Sequence, residues 1–337
     1  MASAFVTAAG ETAREEDERR QIRQLQVEFA LVPGTTGDQF QKDFPAYADG
    51  LVCSSPGGYV ALPEYPKKAE TVYNLKPRAD DVYVLTFPKC GTTWMQELVW
   101  LVVNDCNFEK AKAPLNIRSP FLEICGHVMR DVEEMEEMTE PRIIKSHLPL
   151  YLLNPKLLDT SKVVYVARNP KDVLVSYFHY HRLIHFHQFT GDLESFADYF
   201  MSDKVYASPF FPHLLDAWSK RRHPNLLFVF YEDLKQNLRG EIEKVVSFLG
   251  KSLTEEQLTR LTQHLHVDQF AKNEAVNYEI CKELGFMNNT GNFIRKGKTG
   301  DWKNHFSSEL NARIDLWIES NLKGSDLTFI TELDQQD

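Results

Sequence analysis

The 337-residue sequence predicts an α/β fold, a single domain with a central parallel β-sheet flanked by helices. Two observations carry this prediction. From about residue 80 onward, short apolar runs alternate with amphipathic, helix-periodic segments, as they do where a parallel sheet is covered on both faces. The first of these runs also passes through a tight, glycine-containing turn, TFPKCGTTW (86–94), directly into a helix-like run.

The elements follow in order. Residues up to about Gln26 read as a charged arm, helical or disordered, and residues 27–80 are mixed, with Pro-Gly and Gly-Gly breakers. Strands are expected at Val82–Phe87, Ile143–Leu148, Val163–Arg168 and Leu226–Glu232. Helices are expected at about Thr93–Asn104, Pro170–His185, Arg239–Leu249, Thr254–His264 and Ser307–Asn321. No linker separates domains after residue 80. We therefore divide the chain into a charged arm (1–44), one catalytic-sized domain (45–330) and a short tail (331–337).

Composition excludes several function classes. Acidic residues outnumber basic ones, 48 to 38, for a formal net charge of −10, so no large basic face is available for nucleic acid. A small anionic ligand stays compatible, because local cations and helix N-termini decide such a site. No run approaches the roughly 18 apolar residues of a membrane span, and the N-terminus turns acidic too early for a signal peptide. The five cysteines are odd in number and form no CxxC pair, which fits reduced thiols and a cytoplasmic location. The acidic run Asp131–Glu140 reads as a solvated surface helix or loop rather than a metal site. His179, His181, His185 and His187 lack carboxylate or cysteine partners at metal-binding spacing, and lining an aromatic-rich pocket is their better reading. We expect no metal.

The chemistry concentrates in a few blocks. In the 86–94 turn, Gly91 permits close backbone approach, Thr92 and Thr93 offer hydroxyls, and a helix beginning there presents unpaired N–H groups. Lys89 stands on the strand side of this loop, unlike the terminal lysine of a triphosphate loop. The alternative is an ordinary strand–turn–helix joint with a surface lysine. Cys90 is either a reactive thiol or a small residue tolerated in the turn. Arg168 ends a strand, and Ser176 lies about two helical turns beyond it, so the two can clasp a second phosphate. Arg295, Lys296 and Gly297 form a compact anion nest.

Together these blocks resemble the cytosolic sulfotransferase family. The matching segments are TFPKCGTTW, KSHLP (145–149), RNPKDVLVSYF (168–178), FYEDLK (230–235) and RKGKTGDWKNHF (295–306), over roughly residues 45–330. The segments NDCNFEKAK, HLPLYLLNPKLLDT and KRRHPNLLFVFYEDLK look most like insect members, a group that includes a retinol dehydratase. The resemblance implies a P-loop-kinase-like phosphosulfate-binding loop and the donor 3′-phosphoadenosine 5′-phosphosulfate (PAPS), leaving 3′-phosphoadenosine 5′-phosphate (PAP).

It further implies Lys89 at the bridging oxygen, His147 as base and Lys145 near the transferring group. Ser176, with Arg168, would hold the 3′-phosphate, Trp94 and Tyr231 would flank the adenine, and Arg295–Gly297 would complete the donor site. Ser146 stands where threonine is common. The Ser-Phe segment of the family reads His266-Val267 here, so adenine stacking is either weaker, with Val267 in that place, or supplied otherwise, by Phe270. The vertebrate dimer motif is broken at Ser307, Ser308 and Ala312, so the expected state is a monomer, or a dimer not built on that motif. Phe87, Phe121, Tyr180 and Phe186 are candidates, with His147, for an apolar acceptor pocket.

The expected function is sulfuryl transfer from PAPS to the hydroxyl of a small apolar acceptor, such as a phenol, steroid or terpenoid alcohol. Two alternatives stand beside it: a dehydratase of the same fold acting through a transient sulfate ester, and a non-catalytic PAP-binding protein.

Overall fold

The computed structural model describes residues 24–124, 130–331 and 333. The first part of the predicted arm, most of the predicted tail and Cys125 lie outside the described residues. Four strands form the central sheet: β4 (Val82–Thr86), β5 (Ile143–Ser146), β6 (Lys162–Ala167) and β7 (Leu226–Phe230). Their order is β5-β4-β6-β7 and all pairings are parallel, with Val82 opposite both Ile143 and Lys162. Each predicted strand is present but stops one or two residues early. Phe87, His147, Arg168 and Tyr231 thus leave the sheet at its C-terminal edge, where open α/β sheets place ligands.

Side-chain alternation along the strands feeds two cores. Tyr83, Leu85, Ile144, Tyr165 and Ala167 pack on one face, while Val82, Val84, Ile143, Val164 and Val166 pack on the other. The second face is covered by α1 (Thr92–Val103), α4 (Leu238–Phe248) and α5 (Glu255–Leu265). The first is covered by α2 (Pro170–Leu183), α3 (Phe210–Ser219) and α6 (Ser308–Leu322). Pro170 sits in the first turn of α2, where its missing N–H costs nothing, and Asn169 caps that helix. Thr254 and Ser307 cap α5 and α6 through side-chain bonds to Gln257 and Leu310.

The mixed region before residue 80 contains a small antiparallel sheet that the sequence reading did not anticipate: β1 (Glu28–Leu31), β2 (Val52–Ser55) and β3 (Val60–Ala61). The acidic run carries a short helix, Val132–Glu137, with a capping box between Asp131 and Glu134 and exposed glutamates. No metal-binding cluster occurs among the described residues.

One buried ion pair ties the N-terminal ends of β4 and β5 together. Arg142 is fully buried; its Nε donates to Asp81 Oδ1 at 2.7 Å and its Nη2 to the Lys76 carbonyl at 2.7 Å. Arg142→Ala strands the Asp81 carboxylate, so we expect a loss of about 3–5 kcal/mol in denaturant unfolding. An unchanged midpoint would show that water reaches Asp81.

Candidate active site

The loop between β4 and α1 is shaped by two left-handed residues, Lys89 (φ 68°) and Gly91 (φ 100°). The second requires glycine: a Cβ there would lie 2.7 Å from Cδ2 of Tyr231, whose ring is held by Trp94 and Arg168. Gly91→Ala therefore adds a clash to the left-handed backbone cost of about 1–2 kcal/mol, which thermal unfolding will read. Retention of wild-type stability would mean that the Tyr231 ring is free to move. A non-glycine residue at positive φ, as at Lys89, is the kind of local strain that collects at functional sites. It aims the Lys89 ammonium between two rings, 4.8 Å from the centre of Tyr180 and 4.2 Å from that of Phe293. Burial first, then the charges of Lys145, Arg168 and Arg295, lower its pKa to about 7.

His147 lies where β5 ends. Its Nδ1 donates to the Thr86 carbonyl at 2.8 Å, and Thr86 Oγ1 is also bonded to Thr92 Oγ1 at 2.7 Å. That bond fixes the tautomer and leaves the Nε2 lone pair free, with no hydrogen bond among the described residues. The backbone is pinned as well. His147 N–H donates to Glu123 Oε1 at 2.5 Å, and the His147 carbonyl accepts from His213 Nε2 at 3.2 Å. Phe121 meets the imidazole edge-on at 5.1 Å and carries the Lys145 ammonium 3.9 Å above its ring. Burial, reinforced by Lys145, pushes the His147 pKa well below the ordinary histidine value, so the ring is neutral at pH 7.

Arg168 leaves β6 beneath the same loop. Its Nη1 and Nη2 donate to the carbonyls of Lys89 and Lys298, each at 3.1 Å, and the guanidinium stacks on Tyr231 at 4.2 Å. Its Nε is buried without a partner. Asp172, on α2, accepts from the N–H groups of Gly300 and Trp302 and so ties the 295–302 loop over the sheet edge.

These elements enclose one cavity. Lys89, Gly91, Thr92, Thr93, Trp94, Arg168, Ser176, Tyr231, Val267, Phe270, Arg295, Lys296 and Gly297 line it, together with Phe121, Lys145, His147 and Tyr180. Lys298 adds a sixth cation, and no carboxylate of the described residues faces the cavity. Gly297 is another close approach: a Cβ would lie 2.5 Å from Val267 Cγ2.

Three expected site residues point elsewhere. The Cys90 side chain is buried in the core, where burial pushes its thiol pKa far up, which rules against a reactive thiol. Phe87 is 1% exposed and packs edge-on against Tyr177, Phe200 and Phe210, so it is core rather than pocket wall. Phe186 is 41% exposed and rests on the outside of His187. The anion nest is also less open than its sequence implies. Arg295 Nη2 and Lys296 Nζ both contact Asp301, at 2.7 and 2.9 Å.

Sequence reasoning missed Tyr177, Tyr206, Ile124 and Phe293 in the lining, since aromatic identity carries no signal of direction. Glu123, behind His147, was missed as well. Of the four histidines read as lining an aromatic-rich pocket, His181 and His187 are fully buried, their rings 4.2 Å apart, packed against Tyr177 and Tyr180.

Comparison with known proteins agrees with this geometry. The sulfotransferase domain model matches residues 79–326. Sulfotransferase 1E1 of Bos taurus is 36% identical over 278 residues, covering 81% of this chain and 94% of its own. Sulfotransferase 1A1 of Rattus norvegicus is 38% identical, covering 79% and 93%. Two solved structures of retinol dehydratase are each 35% identical to this chain. One, with androsterone and PAP, superposes with a TM-score of 0.86 over 91% of this chain and 99% of its own; the other, with retinol and PAP, gives 0.85 over 90% and 99%. No helix among the described residues is long and apolar enough to cross a membrane. The chain belongs to the sulfotransferase family and is a sulfotransferase enzyme.

Proposed function

We propose that this enzyme transfers a sulfuryl group from PAPS to the hydroxyl of a small apolar acceptor, with His147 as base and Lys89 supporting the leaving oxygen. The observation that carries the reading is the neutral His147, its Nδ1 spent on Thr86 and its Nε2 free, in one cavity with Lys89. The donor end fits the group. Arg168 offers a buried, unpartnered Nε, and Gly91 and Gly297 keep clear two positions that a side chain would fill. Bound PAPS would supply an activated sulfuryl group on a good leaving group.

The chain's residues do the rest. Lys89 sets positive charge where negative charge grows on bond breaking, and that support is strongest in the transition state. His147 Nε2 accepts the acceptor's proton. Lys145 adds charge beside the transferring oxygens. Arg168 and Ser176 hold the 3′-phosphate, helped by Arg295, Lys296 and Gly297, while Trp94, Tyr231, Val267 and Phe270 surround the adenine. Phe121, Tyr180, Tyr177 and Tyr206 form an aromatic acceptor wall, suited to a phenol, steroid or terpenoid alcohol. In the same reading the protein acts in the cytoplasm, as a monomer or as a dimer not built on the C-terminal motif. The catalytic domain spans 45–330, between an arm and a tail. Sedimentation of the full chain tests the oligomer.

A second reading is favoured by the likeness to the two retinol dehydratase structures. In it the same transfer gives an allylic sulfate ester that then eliminates. Incubation with radiolabelled PAPS and a panel of phenols, steroids, retinol and other terpenoid alcohols tests both. Labelled sulfate on an isolated organic product supports transfer. PAP release with inorganic sulfate and a dehydrated product supports elimination. PAP binding with no turnover of any member would count against both. Arg168→Ala is expected to cost about 2–5 kcal/mol in donor affinity, as for a buried charged contact; unchanged PAP affinity by calorimetry would remove Arg168 from the site.

A further inference from the structure

Behind the base lies a carboxylate that no catalytic role has absorbed. The segment Pro120–Leu122 runs along the free edge of β5. Leu122 N–H donates to the Lys145 carbonyl and Lys145 N–H to the Pro120 carbonyl, each at 2.9 Å. This pairing sets Glu123 against the exit of β5. Glu123 is 6% exposed. Its carboxylate accepts the His147 N–H at 2.5 Å, and in the same turn the Ser146 hydroxyl accepts from Leu148 N–H at 3.0 Å. Glu123 thus braces the turn that carries the imidazole, beside the bonds to Thr86 and from His213. The second carboxylate oxygen, Oε2, is buried with no partner among the described residues.

A buried carboxylate oxygen without a partner is costly unless a nearby cation or a proton compensates it. Lys145 is the cation the geometry offers. Its own ammonium has no acceptor among the described residues and lies over the Phe121 face. The other groups around the pair do not substitute for it. Tyr59, Tyr65 and Tyr206 face Glu123 as neutral phenols. His147, adjoining Lys145 on β5, is neutral, and Lys89, across the cavity, repels the Lys145 charge. Glu123 is thus the negative charge that acts on Lys145.

We propose that Glu123 is a positioning residue of the transfer reaction, holding the His147 turn in place and keeping the Lys145 ammonium charged beside the reacting group. Burial raises the Glu123 carboxyl to about 7 and lowers Lys145 to about 8, while each charge favours the other. Removing the carboxylate charge therefore lowers the Lys145 pKa further toward neutrality.

This inference rests on the proposed transfer reading for its kinetic consequence only, because the lysine titration needs no turnover. Lysine NMR of the full chain, with Lys145→Arg identifying the resonance, reads the Lys145 pKa directly. Glu123→Gln keeps an acceptor for the His147 N–H and removes the charge. It is expected to lower the Lys145 pKa by roughly one unit or more. In turnover, the part of the alkaline decline that belongs to Lys145 should move down by the same interval, with about a tenfold further loss at about pH 9. Glu123→Asp shortens the arm but keeps the charge, and its lysine should titrate near the wild-type value. A lowered melting temperature in Glu123→Gln with an unchanged Lys145 titration would make Glu123 merely structural and overturn the inference. A wild-type enzyme that sulfates nothing would refute the transfer reading, and the titration would still decide the pairing.

Discussion

His147→Ala is expected to lower turnover by about 10²–10⁴-fold, the range for loss of a positioned general base, with PAP affinity unchanged. The separation follows from where the residue sits. The imidazole stands edge-on to Phe121, whereas the predicted donor contacts come from the β4–α1 loop, Arg168 and the 295–298 loop. Removing the ring leaves that cradle intact. The depressed pKa adds a second signature. A group already neutral well below its ordinary value gives no acid limb near pH 6.5, so turnover should hold flat on the acid side to well below that point. Steady-state rates across pH and calorimetry with PAP measure both. Full turnover in His147→Ala would refute the base assignment. Loss of PAP affinity in parallel with rate would mean that His147 supports the donor loop rather than the reaction, through its link to Thr86 and Thr92.

Much of this architecture was legible because apolar runs and helical periodicity report burial directly. The four parallel strands are each buried on both faces, and the expected runs find them. Their ends were read too long for a physical reason. Phe87, Leu148 and Tyr231 remain apolar after the ladder stops, and hydrophobicity cannot mark where hydrogen bonding ends. Among the residues that overshoot, His147, Arg168 and Tyr231 turn into the cavity while Phe87 and Leu148 stay in the core, so drawing the strands long still drew attention to His147 and Arg168. The small N-terminal sheet was illegible. β3 is two residues long, and β1 is mostly exposed and depends on a partner distant in sequence, Glu28 pairing with Ser55.

Direction was the other blind spot. Phe87 lies two residues from Lys89 yet points into the core, while Tyr206, far along the chain, lines the cavity. The cations of the 295–297 nest were legible as charge, but their neutralisation by Asp301 depends on a loop closing on itself. Glu123 gave no signal, since it joins the His147 turn through the pairing of a single residue pair at the edge of β5.

Lys89→Met should lower turnover by about 10²–10³-fold, the usual effect of removing one preorganised stabiliser of a developing oxyanion, and should weaken PAP binding by less. Methionine keeps most of the volume between Tyr180 and Phe293, so the loss reports charge rather than packing. The environment predicts a pH signature as well. Three like charges and burial hold the Lys89 pKa near 7. A lysine with a depressed pKa is charged below that value and neutral above it. In free enzyme, kcat/KM should therefore fall as pH rises through about 7, because the cation is lost. An anionic donor bound beside Lys89 favours the charged form, so the limb in kcat should lie at higher pH than the limb in kcat/KM. PAP binding above pH 7 should accordingly take up protons, measurable by calorimetry in buffers of different ionisation enthalpy. In Lys89→Met the uptake should shrink, and the remaining alkaline limb should belong to Lys145, near 8. A methionine variant with the wild-type rate would remove Lys89 from the transition state. A variant that loses rate but keeps the same proton uptake would assign the titration to Lys145 instead, and the cation that matters for catalysis would then differ from the cation that senses pH.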